Sequence, residues 1–297
     1  MAALALGVLA GGSLLAGVGG ISWRLWRHDS TLLGGCRSLL GRRACELLDG
    51  RHATVEVMGR LARVYAPEGA VPAGGRAAIL VLHGSYDSPE GMFGSGFEPL
   101  AGARGFIVVY PNMKVPSSEN WGYSEDLPYL TALVGRLQKD LSVDPDRVFV
   151  CGHSAGGTMA LFLQNEAEIF AGAGAVEAGV GHMDQWNMSR RGTRTMLVWN
   201  HADPVLTEYG GEDLYRRTIA TLRRHGSHDP SSTEPLPTSG SVPEAELRRY
   251  PDDGSPEFWE LSWRSKPGTH AWPKQPSASF DAAEWLVDFF LGPAPAP

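Results

Sequence analysis

Cysteine is scarce in this chain: Cys36, Cys45 and Cys151 are the three in 297 residues. Three cannot make the disulfide framework on which small secreted scaffolds depend. Cys36 and Cys45 could pair in an exported protein, whereas Cys151 lies in an apolar run and reads as a small buried hydrophobe. Dense positive charge is missing too. The formal net charge is −7, and short basic spots such as Arg42-Arg43, Arg190-Arg191 and Arg223-Arg224 read as solvated faces, so no nucleic-acid partner is expected. No His/Cys/Asp cluster has metal-ligand spacing along the chain, and neither a metal nor another cofactor is expected. No internal repeat is present. What remains is a hydrophobic fraction of 43% against 20% charged residues, enough apolar side chain for one sizeable core in a single α/β unit.

Charge is absent altogether from residues 1–21, MAALALGVLAGGSLLAGVGGI. A soluble core has no use for such a stretch at its extreme end. Residues 1–23 are therefore expected to be a signal peptide or an N-terminal membrane anchor, making the protein secreted or membrane-anchored. The basic start of a signal is missing, although Val18-Gly19-Gly20 offers small residues for cleavage. Arg24 and Arg27 follow the apolar run and, were it an anchor, would hold the downstream domain on the cytoplasmic side. Residues 24–52 read as a linker, 53–292 as the catalytic domain, and 293–297 as a disordered tail. Asn187-Met188-Ser189 is a glycosylation sequon, meaningful only in an exported, glycosylated chain.

From about Val55 onward, buried-strand signals alternate with amphipathic stretches, the pattern of parallel βαβ construction. The runs AAILVLHG (77–84), FIVVYPN (106–112), RVFVCG (147–152) and TMLVWNH (195–201) are short and apolar and read as central strands buried on both faces. ATVEVMG (53–59) and LARVYAP (61–67) read as an antiparallel opening hairpin. Helices are expected near 126–141, 155–168, 212–225 and 280–291. The polar stretch 227–256 reads as a surface excursion.

Gly152-His153-Ser154-Ala155-Gly156 matches the nucleophile elbow G-x-S-x-G, with an apolar strand leading in and a helical segment leading out. That context predicts an α/β-hydrolase fold: a mostly parallel central sheet with helices on both faces. A serine hydroxyl is a poor nucleophile at neutral pH, so it needs a general base that an acid orients. In this fold the order is Ser, then Asp/Glu, then His. Asp203, in the turn after the run ending Asn200-His201, stands where the acid belongs. Of His182, His201, His225, His228 and His270, only His270 follows a strand-like run (258–263) and precedes the final helix. The catalytic residues are therefore read as Ser154, Asp203 and His270. The oxyanion hole is assigned to the backbone N–H of Ala155 and of Ser85, with Tyr86 as second choice. His83, at the end of an interior strand, reads as structural.

LHGSYDSPEGM (82–92), VVYPN (108–112), DPDRVFVCGHSAGGTMA (144–160), NHADPVLTEYGG (200–211) and GTHAWP (268–273) together resemble the polyhydroxybutyrate depolymerase/feruloyl esterase-like family of α/β-hydrolases. The resemblance covers about residues 60 to 292, and His-x-Trp-Pro is its most specific block. It implies a carboxylic ester hydrolase acting on a small or oligomeric ester, either a plant cell-wall hydroxycinnamoyl (feruloyl) ester or a short hydroxyalkanoate. Ser154, Asp203 and His270 match the family triad, and Ser85 the oxyanion position. Trp121 and Trp272 match tryptophans near the substrate, so they are expected to bind it. The chain departs from the family at Lys266-Pro267-Gly268-Thr269, where a glycine run is common. It also carries His153 where an apolar residue is frequent, and Cys151 where a small residue is usual. Two alternatives stay open: a catalytically silent hydrolase fold used as a binding module, or another chemistry of the fold such as a serine peptidase or thioesterase.

Overall fold

A period-two alternation runs through the strand that leads to Ser154. Val148 and Val150 pack into one core cluster, while Phe149 and Cys151 pack into another on the opposite side. Buried on both faces, such a strand must lie inside a sheet with helices above and below it. The computed structural model describes residues 52–114, 120–180, 194–224, 226–236, 244–251 and 257–294. The expected leader or anchor at 1–23, most of the linker, Cys36 and Cys45, His182, His225, the Asn187 sequon and the last three residues lie outside them. Among the described residues, no helix is long and apolar enough to cross a membrane.

The described residues form ten strands: β1 (His52–Val57), β2 (Arg60–Tyr65), β3 (Arg76–Leu82), β4 (Ile107–Pro111), β5 (Val143–His153), β6 (Gly172–Val176), β7 (Arg194–Asn200), β8 (Ser232–Pro235), β9 (Ala245–Arg249) and β10 (Phe258–Trp263). They make one sheet in the order β1-β2-β4-β3-β5-β6-β7-β10-β9-β8. The six central strands, from β4 to β10 in that order, pair in parallel; the outer pairs are antiparallel. The opening hairpin turns at Met58 and Gly59, both with positive φ (51° and 74°). That is the backbone a tight two-residue turn needs.

Helices Phe97–Arg104 and Ala282–Leu291 cover one face, and Tyr123–Leu141 and Ala155–Glu166 the other. Helix Glu212–Leu222 packs on a third cluster around Trp199. The expected mostly parallel sheet and its flanking helices are present. Two parts of the sheet lie outside the expected strands. Strand β6, GAGAV, carries glycine and alanine where a strand signal would be β-branched. Its small residues make room for close neighbours: a Cβ on Gly174 would lie 2.3 Å from Leu286 Cδ2. The polar excursion 227–256 contains β8 and β9, which extend the sheet past β10. Strand β8 is exposed throughout, so no hydrophobic alternation could mark it.

The parallel strands are in register at one level. Leu82, Gly152, Ala175, Leu197 and Glu260 are successive partners across β3, β5, β6, β7 and β10. Their carboxyl ends therefore open onto the same side, where the crevice of an α/β sheet forms.

Candidate active site

Ser154 sits between the last residue of β5 and the first of helix Ala155–Glu166, with φ 53° and ψ −123°. A non-glycine residue rarely adopts that backbone, and the surroundings hold it there. The Ser154 N–H donates to Val176 O at 2.9 Å, and Ser154 O accepts from Thr158 N at 3.0 Å. The small residues of the motif are needed for the same reason. A Cβ on Gly156 would stand 2.4 Å from Leu82 O and 2.5 Å from His83 O, both backbone atoms that cannot swing aside. Gly156→Ala is accordingly expected to cost about 3 kcal/mol, the upper end of the overpacking range. Urea unfolding of the variant would show it as a lower midpoint with an unchanged slope.

The loop after β3 passes directly beside the nucleophile. A Cβ on Gly84 would lie 3.4 Å from Ser154 Cβ. Ser85 lines the cleft there, and Tyr86 follows with φ 57°. His83 is fully buried and holds this loop. Its Nδ1 donates to Gly84 O at 2.9 Å, and its carbonyl accepts from Trp121 Nε1 at 2.9 Å. Burial lowers the pKa of His83 below the ordinary histidine value. Ala155, as the first residue of its helix, has an N–H with no acceptor inside that helix.

Asp203 follows β7 and is 1% exposed. Its Oδ1 accepts from Val205 N (2.8 Å) and Leu206 N (3.0 Å), capping the short helix Pro204–Glu208. Its Oδ2 lies 2.6 Å from Nδ1 of His270, which stands in the loop after β10. With a carboxylate as acceptor, Nδ1 is the nitrogen that carries the proton. Asn200 ties the two loops together. Its Oδ1 accepts from Ala202 N and Ser265 N, while its Nδ2 donates to Ser265 Oγ and Thr269 O, each at 2.8 Å. Sequence reasoning passed over Asn200. The available signal was a polar residue ending an otherwise apolar strand.

A second acid, Glu177, emerges just after β6 and is completely buried. Its Oε2 is 3.5 Å from His270 Nδ1 and 3.6 Å from His153 Nε2. Burial first, then the neighbouring Asp203, pushes its pKa up to about 10. Burial also pulls His153 down to about 3, helped by His270 beside it. Nothing in the linear spacing marked Glu177.

Ser154, His270, Ser85 and Ala155 share a cavity of about 790 Å³ whose walls include Tyr86, Tyr123, Tyr209, Val205 and Leu214. Tyr86 and Tyr209 are among the most exposed large hydrophobic side chains of the described residues (68% and 57%). The two expected substrate tryptophans do not line this cavity, although the Trp272 ring stands edge-on to His153, which does. Trp121 is 2% exposed and spends its N–H on His83 O. Trp272 packs against the core beside Phe97, with ring centroids 5.8 Å apart. Neither lines the cleft. Sequence places an aromatic near a motif but does not say which way its ring turns.

Residues 79–293 match the model of the alpha/beta hydrolase family. Over 290 residues, the chain is 33% identical to NocK of Nocardia uniformis subsp. tsuyamanensis, a protein whose name carries the word esterase, with 82% of each covered. Over 134 residues it is 34% identical to a poly(3-hydroxybutyrate) depolymerase of Ralstonia pickettii, covering 38% of this chain. That match spans only 27% of the depolymerase's length. Among solved structures, an acetyl xylan esterase from Aspergillus awamori shares the fold at 16% identity, with a TM-score of 0.63 over 81% of this chain and 99% of that one.

Proposed function

The chain belongs to the alpha/beta hydrolase family, and on that premise we propose that it is a serine carboxylic ester hydrolase whose catalytic unit spans residues 53–292. Ser154 is the nucleophile, His270 the general base and Asp203 the acid that orients it. The observation carrying this reading is the 2.6 Å contact between His270 Nδ1 and Asp203 Oδ2, in the same cleft as a serine held at a strained turn. His270 Nε2 takes the Ser154 proton as Oγ bonds to the ester carbonyl carbon. The carbonyl oxygen becomes an oxyanion, stabilised by the N–H groups of Ala155 and Ser85. Collapse expels the alcohol, which receives the proton from His270. Water, deprotonated by the same ring, then releases the acid and restores Ser154.

For the acyl group, feruloyl-type esters fit the cleft better than short hydroxyalkanoates. Three tyrosines, Tyr86, Tyr123 and Tyr209, line it, and an aromatic contact contributes about 0.5–1.5 kcal/mol beyond area burial. Two such contacts would favour methyl ferulate over hydroxybutyrate oligomers by roughly tenfold or more in kcat/KM. A panel of p-nitrophenyl acetate, p-nitrophenyl butyrate, methyl ferulate and hydroxybutyrate oligomers measures this ratio. Oligomers turned over faster than ferulate would reverse the substrate assignment. No turnover of any ester, with no labelling of Ser154 by a fluorophosphonate, would leave the silent binding module as the better reading.

A further inference from the structure

His153 and Glu177 take no part in the mechanism above, yet they converge on its base. His153 Nε2 is buried and meets no hydrogen-bond partner among the described residues, while the buried Glu177 carboxyl lies beside Asp203, Asn200 and the Ala271 backbone. A buried polar atom left without a partner is costly, and each one calls for an explanation. Glu177 Oε2 stands between two imidazoles, 3.6 Å from His153 Nε2 and 3.5 Å from His270 Nδ1. One donor atom from each of the three residues lies within 4.8 Å of the others. Asp203 Oδ2 is 2.6 Å from the same His270 nitrogen.

Zinc held by nitrogen and oxygen at about 2.0–2.2 Å in a tetrahedron keeps its ligand atoms roughly 3.3–3.6 Å apart. The two histidine–glutamate separations already match. His270 Nδ1 would exchange its 2.6 Å contact with Asp203 Oδ2 for the ion, and the fourth position of the tetrahedron would be left to a water molecule. His153, Glu177 and His270 also line the cleft that admits substrate, which gives an ion a way in.

We propose that His153, Glu177 and His270 form an inhibitory three-residue site for a divalent metal of the zinc class. Two imidazoles select zinc or copper over magnesium and calcium, which prefer oxygen ligands throughout. The ion is not a cofactor of the reaction. As the ion binds, Glu177 releases its proton to solvent; at Nδ1 of His270 the ion replaces the hydrogen bond to Asp203, and the ring proton moves to Nε2. The nitrogen facing the nucleophile then carries N–H instead of a lone pair and cannot accept the Ser154 proton. Inhibition in this form rests on the triad reading of the preceding section, whereas occupation of the site does not.

The test uses the full chain, stripped with EDTA. Equilibrium dialysis against zinc chloride alone measures binding, and hydrolysis of p-nitrophenyl acetate with and without zinc measures the consequence. The wild type is expected to bind one zinc ion that His153→Leu and His153→Asn fail to hold. Losing a direct ligand should weaken binding by more than the roughly 10–100-fold that loss of an outer partner costs. Zinc should abolish wild-type turnover, EDTA should restore it, and magnesium should do nothing. The ratio of rates with and without zinc is compared between variants, so any change in basal rate cancels. Circular dichroism checks that each variant is folded; with both folded, equal zinc binding or equal inhibition in wild type and variants overturns the site. Bound zinc that leaves the wild-type rate unchanged overturns the inhibitory role. Because dialysis needs no turnover, a chain inactive on every ester still reports whether the metal site exists.

Discussion

Ser154→Ala is expected to lower ester turnover by about 10⁶-fold, the loss found when a triad serine is removed while the rest of the site stays. The variant keeps its fold for a local reason. The contacts that hold residue 154 at its strained turn are made by its backbone, to Val176 O and from Thr158 N, and alanine retains both. Residual hydrolysis should still exceed the uncatalysed rate by about 10³-fold, because binding and the oxyanion donors survive. Stopped assays with p-nitrophenyl acetate, paired with loss of fluorophosphonate labelling, measure this. Near-normal turnover in a folded Ser154→Ala protein would mean that another group attacks the ester.

Asp203→Asn should cost about 10⁴-fold in kcat with little change in KM, a smaller loss produced by a different physical route. The Asp203 side chain has two tasks. Oδ1 caps the helix Pro204–Glu208 through Val205 N and Leu206 N, and Oδ2 accepts a hydrogen bond from His270 Nδ1–H. Asparagine can keep the cap with its amide oxygen. Its NH₂ then faces Nδ1 and favours the tautomer with the proton on Nε2, which cannot serve as base toward Ser154. Folding is preserved while the base is disabled, so thermal unfolding should stay close to wild type as turnover falls. Glu177 lies 3.5 Å from the same nitrogen, but with its pKa raised by burial it holds its proton and does not replace the missing carboxylate. An Asp203→Asn protein within tenfold of wild-type kcat would remove Asp203 from the triad.

Legibility of the fold followed burial chemistry. Strands β3, β4, β5 and β7 were readable because each is a short apolar run rich in branched side chains and buried along most of its length. Strand β6 was not, since its glycines and alanines answer to the crowding of Leu286 and Phe290 rather than to strand propensity. Strands β8 and β9 hide in a polar segment because an edge of the sheet needs only backbone pairing. The helix Phe97–Arg104 was missed as well; its two glycine caps and short length leave only Phe97 and Ala101 buried.

The candidate site divides along the same line. The sequence alone marked the turn at Ser154 and the order in which Ser154, Asp203, His270 and the loop after β3 reach the crevice, because an elbow needs fixed small residues and the order of parallel strands fixes which chain segments arrive there. The tertiary structure decided the rest. It packed Trp121 and Trp272 behind the cleft's lining, against His83 and His153, and set Tyr86 and Tyr209 in its wall. It also brought His153, Glu177, Asp203 and His270 together from the ends of four different strands. Ligand spacing along a chain reveals a cluster held on one turn or one helix. Here the spacing is set by strand register, which aligns Gly152, Ala175, Leu197 and Glu260 across the sheet and has no counterpart in the linear order of residues.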